Sequence, residues 1–382
     1  MKEAIYVDHA ATSPVYPEVA EKMLAFMTTT FGNPSSIHSF GRKSRQAIDE
    51  ARESIASSIG SKESEIIFTS GGTEADNLAI LGTAMANSDR GKHIITTSIE
   101  HHAVLHTCGQ LERQGFEVTY LPVGVDGRIQ MSDFKEALRD DTILVTIMLG
   151  NNEVGTIQPI QEISDTLSNH SAYLHTDAVQ AFGAIPVNVD DLKVDLLSVS
   201  GHKINGPKGI GFLYVREGTK LSSLTFGGEQ ERKRRAGTEN VPGILGLAEA
   251  VLLSQTDMEN RQNTYKRYKD IFKSILNDKN ISYEINGSEE HGLPHIFNLY
   301  FPGMNVESFL VNLDLAGIAA SSGSACTAGS IEPSHVIVAM FGTESERGRS
   351  SVRYSFGLGN TEEQITKVAE ETVRIVQRLM RR

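Results

Sequence analysis

Cysteine is scarce in this 382-residue chain: Cys108 and Cys326 stand apart, and no CxxC pair occurs. That argues against a structural zinc site and fits a reducing, cytoplasmic compartment. Long apolar runs are also missing. Stretches such as TILVTIMLG (142–150) fall far short of the roughly 20 residues that a membrane span needs. The opening MKEAIYVDHAATSP puts Asp8 and His9 where a signal peptide requires an apolar stretch, so secretion is not expected. Basic residues are outnumbered, with 36 Lys and Arg against 48 Asp and Glu and a formal net charge of -12. This balance argues against a general nucleic-acid or membrane surface and favours small molecules or proteins as partners. Two nucleotide signatures are absent where a glycine turn invites them: SGGTEADN contains neither the GK[ST] of a Walker A loop nor a GxGxxG fingerprint.

What is present is material for a core. Hydrophobic residues make up 39% of the chain, and the length favours two domains. Strand-like runs fall at 65–68, 93–97, 116–123, 142–149, 172–176, 195–200 and 209–215. Helical patterns intervene at 42–59, 73–86, 100–114, 131–139 and 160–168. Alternation of this kind, with several strands apolar throughout, predicts an α/β fold around a large, mainly parallel seven-stranded sheet with helices on both faces. Beyond about residue 238, two helical runs (240–277) lead into short strands at 281–285, 295–301, 318–322 and 351–356, with helices at 305–317 and from Thr361 onward. The expected division is a large domain over 15–255 and a small α+β domain from 1–14 and 256–382. Asn360 with Glu363 is the expected capping box of the last helix.

Chemistry concentrates where the strands run out. Asp177 ends the run AYLHTD, and Lys203 follows LLSVSGHK. A carboxylate held against a pyridine nitrogen keeps it protonated, and a lysine amine condenses with an aldehyde, so the pair describes a site for pyridoxal 5'-phosphate. Gln180 is placed to donate to the ring hydroxyl oxygen. His101, opening the helix after HIITT, is placed to stack on the ring and shuttle a proton. Gly72 and Thr73 in SGGTEADN sit between a strand and a helix, where backbone N–H groups, a hydroxyl and the helix dipole suit a phosphate; Ser200 and His202 are placed to help. Each residue also has an ordinary structural reading alone: an N-capped glycine turn, a helix-capping aspartate, a surface lysine, a satisfied histidine. Their joint placement at successive strand ends favours the site.

The motifs YVDHAATSP, FGNPSS, SGGTEADN, EHHAVL, NNEVGTIQP, HTDAVQ, SGHKINGPKG, RAGTEN, SSGSACTAGS and SVRYSFG run over essentially the whole chain. In them the sequence resembles the NifS and IscS-like cysteine desulfurases, which belong to the class V aminotransferases among the fold-type I pyridoxal-phosphate enzymes. The resemblance implies that Lys203 carries the cofactor, Asp177 and Gln180 meet its ring, and Gly72, Thr73, Ser200 and His202 hold its phosphate. It gives His101 the stacking role and sets Asn152 at the ring oxygen or the substrate. Thr238 falls on the residue that reaches the phosphate of a neighbouring subunit, implying a homodimer. Arg353 is the candidate for the α-carboxylate of L-cysteine, since a guanidinium gives a bidentate grip, and Asn33 assists by resemblance only.

Cys326 lies among small residues in SSGSACTAGS, which offers little apolar packing, and is the expected persulfide carrier. Cys108, on a helical face with Val104, Leu105 and Leu111, reads as structural. The long segment after Cys326 resembles the class that delivers sulfur directly to an acceptor protein, either an iron–sulfur scaffold or a tRNA-thiolating enzyme. No metal site is expected, apart from a conceivable iron–sulfur contact at Cys326. The rivals are selenocysteine lysis, another fold-type I reaction, and a non-catalytic sulfur-relay partner.

Overall fold

A computed structural model describes residues 4–322 and 333–380. The chain opens with β1 (Ile5–Tyr6), α1 (Pro17–Thr29) and α2 (Ser39–Ser58), then β2 (Ile66–Thr69), α3 (Gly72–Asn87), β3 (His93–Thr97), α4 (His102–Arg113) and β4 (Glu117–Leu121). It continues through α5 (Met131–Ala137), β5 (Thr142–Thr146), α6 (Ile160–Thr166), β6 (Tyr173–Asp177), α7 (Val189–Leu192), β7 (Leu196–Ser200) and β8 (Gly211–Val215). The remainder is α8 (Val241–Thr256), α9 (Met258–Asp278), β9 (Glu284–Asn286), β10 (Ile296–Tyr300), α10 (Val306–Leu315), β11 (Ile318–Ala319), α11 (His335–Phe341), α12 (Arg347–Ser350), β12 (Ser351–Ser355) and α13 (Glu362–Met380).

The seven-stranded sheet predicted from the alternating pattern forms in the order β2-β8-β7-β6-β5-β3-β4, parallel except where β8 pairs antiparallel with both neighbours. Every residue of β3, β5, β7 and β8 is buried, as expected of strands covered on both faces, whereas β4 at the edge is largely open. Because β2 and β7 run antiparallel to the same strand, they run parallel to each other, and the carboxyl ends of β2, β3, β5, β6 and β7 meet along one edge. That edge is where open α/β sheets bind their ligands.

A second apolar cluster joins Ile5 and Val7 to Phe272, Phe297, Phe309, Tyr354 and Ile365. It packs around the antiparallel sheet β12-β10-β9 and the parallel pair β1-β11. None of the described helices is long and apolar enough to cross a membrane.

Several local expectations change. Helix α1 was not legible in the sequence; Pro17 opens it, and Leu24 and Met27 on it stay more than half exposed. The run 281–285 yields only the short β9, and of 318–322 only Ile318–Ala319 form a strand, β11, which pairs with β1. The capping box at Asn360 does not form. Its side chain instead accepts from Gly357 N–H (2.9 Å) and donates to the Tyr6 carbonyl (2.9 Å), while Thr361 Oγ1 takes the Gln364 N–H (3.2 Å).

A buried ion pair fixes the segment before α8. Arg52 on α2 meets Glu231 through two bonds of 2.7 and 2.8 Å, and Glu231 also accepts from Phe68 N–H at 3.0 Å. Glu231, Arg232 and Lys233 all have positive φ, a left-handed run that non-glycine residues adopt only when surroundings impose it. Glu231→Ala leaves a buried guanidinium without its partner. It is expected to lower unfolding free energy by about 3–5 kcal/mol, read from denaturant melts.

Candidate active site

Along the carboxyl edge of the large sheet lies a cavity of about 350 Å³. Gly72 and Thr73 line it at the start of α3, Asp177 and Gln180 after β6, Ser200, His202 and Lys203 after β7, and Arg353 on β12. His101, Asn152 and the partly buried Ser321 line it too. Ten of the sequence-predicted site residues thus converge on one space.

Asp177 is 7% exposed and accepts a hydrogen bond from Val179 N–H at 2.8 Å. Burial pushes its carboxyl up, against the Val179 bond and the charge of Lys203. The Lys203 amine donates to the carbonyls of Ala10 (2.5 Å) and Ala11 (2.8 Å). Burial lowers it to about 8, helped by Arg353 and opposed by Asp8 and Asp177. His101 caps α4, its Nδ1 accepting from Ala103 N–H at 3.1 Å. Burial, with the nearby charge of Lys203, brings its imidazole down to about 4, so the ring is neutral and free to stack. His202 is likewise held near 4, chiefly by burial, and its Nδ1 lies 3.1 Å from Thr12 Oγ1.

Arg353 is 3% exposed. It donates to the Asn152 carbonyl and to Asp8 Oδ1, both at 2.8 Å, and its Nε has no partner within the protein. Asp8, read in the sequence only as an obstacle to a signal peptide, therefore holds the guanidinium in place. Gln180 Nε2 donates to the Ala10 carbonyl at 2.9 Å, the same carbonyl that accepts from Lys203.

Two expected residues lie elsewhere. Thr238 lines a separate cleft with Ser70 and Arg235. Asn33 is exposed, its Oδ1 accepting from Ser35 N–H at 2.9 Å. Cys326 lies outside the described residues. Cys108 is fully buried on α4, and burial pushes its thiol up to about 12, which suits a structural role. Among the described residues no cluster of His, Cys, Asp or Glu is arranged to hold a metal.

The donor set fits pyridoxal 5'-phosphate. A buried carboxylate and a depressed lysine line one cavity, and the first turn of α3, whose N–H groups have no intrahelical acceptors, borders it. Space at that turn is tight: Gly71 has φ +146, and a Cβ on Gly72 would come within 2.8 Å of Val179 Cγ2. A mainly parallel sheet with lysine, carboxylate and helix N-terminus meeting at its carboxyl edge defines a pyridoxal-phosphate-dependent enzyme of fold type I. The chain belongs to the class-V aminotransferase family, whose model matches residues 5–368.

Relatives narrow this further. The chain is 63% identical over 377 residues to a protein of Bacillus subtilis (strain 168) named "Putative cysteine desulfurase IscS 1", covering 99% of this chain and all of that one. A solved structure titled "NIFS-LIKE PROTEIN" superposes with a TM-score of 0.92 at 34% identity, covering 98% of this chain and 100% of the other. A second, "SspA in complex with cysteine", has a TM-score of 0.81 at 40% identity over 92% of this chain and 98% of its own.

Proposed function

We propose that this chain is a pyridoxal-phosphate-dependent cysteine desulfurase, which converts L-cysteine to L-alanine and stores the sulfur as a persulfide on Cys326. The observation that carries the reading is the convergence of Lys203, Asp177, His101 and Arg353 on one cavity. When bound, the cofactor supplies an electron sink for negative charge developing at the substrate Cα.

The residues divide the remaining work. Asp177 is the partner of the pyridine nitrogen. Gly72, Thr73, Ser200 and His202 hold phosphate, His101 stacks, and Gln180 and Asn152 face ring oxygen or substrate. Arg353 grips the α-carboxylate through its free edge. Lys203 attaches the cofactor and, as a neutral amine, moves the Cα proton. The Cys326 thiolate attacks the substrate sulfur: an S–S bond forms and the Cβ–S bond breaks. The electron pair stays on the carbon skeleton, which takes up a proton to become alanine. His101 exchanges the proton of the substrate thiol.

The sulfur is then passed in the cytoplasm to an acceptor protein, an iron–sulfur scaffold or a tRNA-thiolating enzyme. The two largest apolar clusters, one around the seven-stranded sheet and one around β12-β10-β9, support a large domain over 15–255 and a small one from 1–14 and 256–382. A homodimer accounts for an otherwise costly surface, where Phe31, Ile37 and Phe40 are 77%, 91% and 51% exposed near Leu24 and Met27 of α1. It also gives Thr238 a role, at the phosphate of the neighbouring subunit.

The test is stoichiometric. Cofactor-loaded protein given L-cysteine should yield alanine and protein-bound sulfane sulfur in equal amounts. Pyruvate in place of alanine would overturn the reading.

A further inference from the structure

Among the described residues that line the cavity, Asp76 is the one ionisable side chain for which the reaction described above has no use. It sits in the second turn of α3, is 1% exposed, and lines the same cavity as Asp177. Its Oδ1 is fully buried without a hydrogen-bond partner and lies 3.7 Å from His175 Nε2. His175, also fully buried, is spoken for on both ring nitrogens: Nδ1 by Thr146 Oγ1 at 2.8 Å and Nε2 by Ser198 Oγ at 2.9 Å. The imidazole is neutral, because burial brings it down to about 3, so it offers Asp76 no counter-charge.

The charged and titratable groups that face Asp76 are therefore mostly of the wrong sign to ionise it. Asp177 is on β6 with His175, Glu100 closes the turn after β3, and Lys203 stands across the cavity. Burial, then the charge of Asp177, push the Asp76 carboxyl well up; a hydrogen bond from Ser198 opposes this, and Glu100 adds to it. Glu100 is itself raised to about 8 by burial, despite bonds from Thr97 Oγ1 (2.7 Å) and Met148 N–H (3.0 Å). Two buried carboxyl groups that share a site cannot both ionise cheaply, and one keeps its proton.

We propose that Asp76 is a positioning residue of the cofactor site: a neutral acid that holds the single proton of the Asp76–Asp177 pair and so leaves Asp177 ionised for the pyridine nitrogen. The assignment of roles follows from the contacts. Asp177 has a backbone N–H and sees a lysine, both of which favour its charged form, whereas Asp76 has a bare oxygen in a dry wall. Thr146, His175 and Ser198 give the pair a fixed polar backing. This inference rests on the cavity being the pyridoxal-phosphate site, but its test does not need the cofactor.

Infrared spectra of cofactor-free protein, made with aspartate heavy-carbon-labelled at the side-chain carboxyl, separate protonated aspartic acid from Glu100. At pH 7 a protonated-aspartate C=O band is expected, and Asp76→Asn should remove it. In Asp177→Asn the neighbouring negative charge is gone, so Asp76 should ionise more easily and the band's midpoint should move down by on the order of one pH unit or more. A purely structural Asp76 would not respond to Asp177 in this way. Absence of the band at pH 7 in the unaltered protein, its survival in Asp76→Asn, or an unmoved midpoint in Asp177→Asn would each overturn the proposal. If a variant does not fold, the labelled unaltered protein still decides. Failure of the desulfurase reading would show instead in the products from L-cysteine, with these spectra unchanged.

Discussion

Lys203→Ala should reduce alanine formation from L-cysteine by on the order of 10,000-fold, the upper end of what a positioned general base contributes, because the same amine also anchors the cofactor. The variant should still bind pyridoxal 5'-phosphate, since Asp177, the α3 turn and His101 are untouched, but should lose it on gel filtration. Added small amines should restore part of the proton transfer. Retention of a tenth of the activity without such rescue would assign the proton transfer to another residue. The physical basis is the surroundings of Nζ. Two carbonyls, Ala10 and Ala11, orient it without supplying negative charge, and burial lowers it to about 8. Only the unprotonated amine is a nucleophile, so the rate of cofactor attachment to the apoprotein should climb as pH rises through about 8. A flat profile between pH 7 and 9 would contradict that environment.

Cys326→Ala should abolish protein-bound sulfane sulfur while leaving the cofactor and its absorption in place. Alanine carries no lone pair that can take sulfur from the substrate, and the other cysteine cannot substitute. Cys108 lies inside α4 with its thiol held protonated by burial. Both described flanks of the segment bearing Cys326 belong to the site. Ser321 lines the cavity, and Ser334 bonds to Glu153, next to Asn152 of the same wall. Mass spectrometry after a single exposure to L-cysteine, with and without reductant, reads the result. Sulfur on the variant at the unaltered level would move the chemistry to a different nucleophile and favour another fold-type I reaction.

Residues at strand ends were legible in the sequence because two patterns coincide there: an apolar run stops, and a chemically assertive side chain follows. Asp177, Lys203 and His101 all satisfy this. Asp76 does not, since inside SGGTEADN it reads as one polar position on a helix, and only the packing of α3 against β6 and β7 turns it toward the cavity. Asp8 was hidden for a similar reason, its partner Arg353 being 345 residues away. Helix α1 escaped because Leu24 and Met27 point outward, which blurs the one-sided apolar pattern that reveals a surface helix. Thr238 and Asn33 match family motifs yet stand away from the cavity of their own chain, because a motif match carries no information about which surface the side chain reaches. Asn360 was assigned to a cap from its spacing, but tertiary contacts with Tyr6 and Gly357 outcompeted the local use of its side chain.

The strap formed by residues 5–13 has a consequence for when the enzyme can become active. Among the described residues β1 pairs only with β11, Ala10 N–H is held by Ser355 at 2.8 Å, Asp8 braces Arg353, and the Ala10 and Ala11 carbonyls hold Lys203. Although this strap is made early in translation, each of its tethers waits for chain synthesised later, up to position 355. A nascent polypeptide therefore contains Lys203 and the turn before α3 long before Arg353 and Ser355 exist to complete the contacts of the strap.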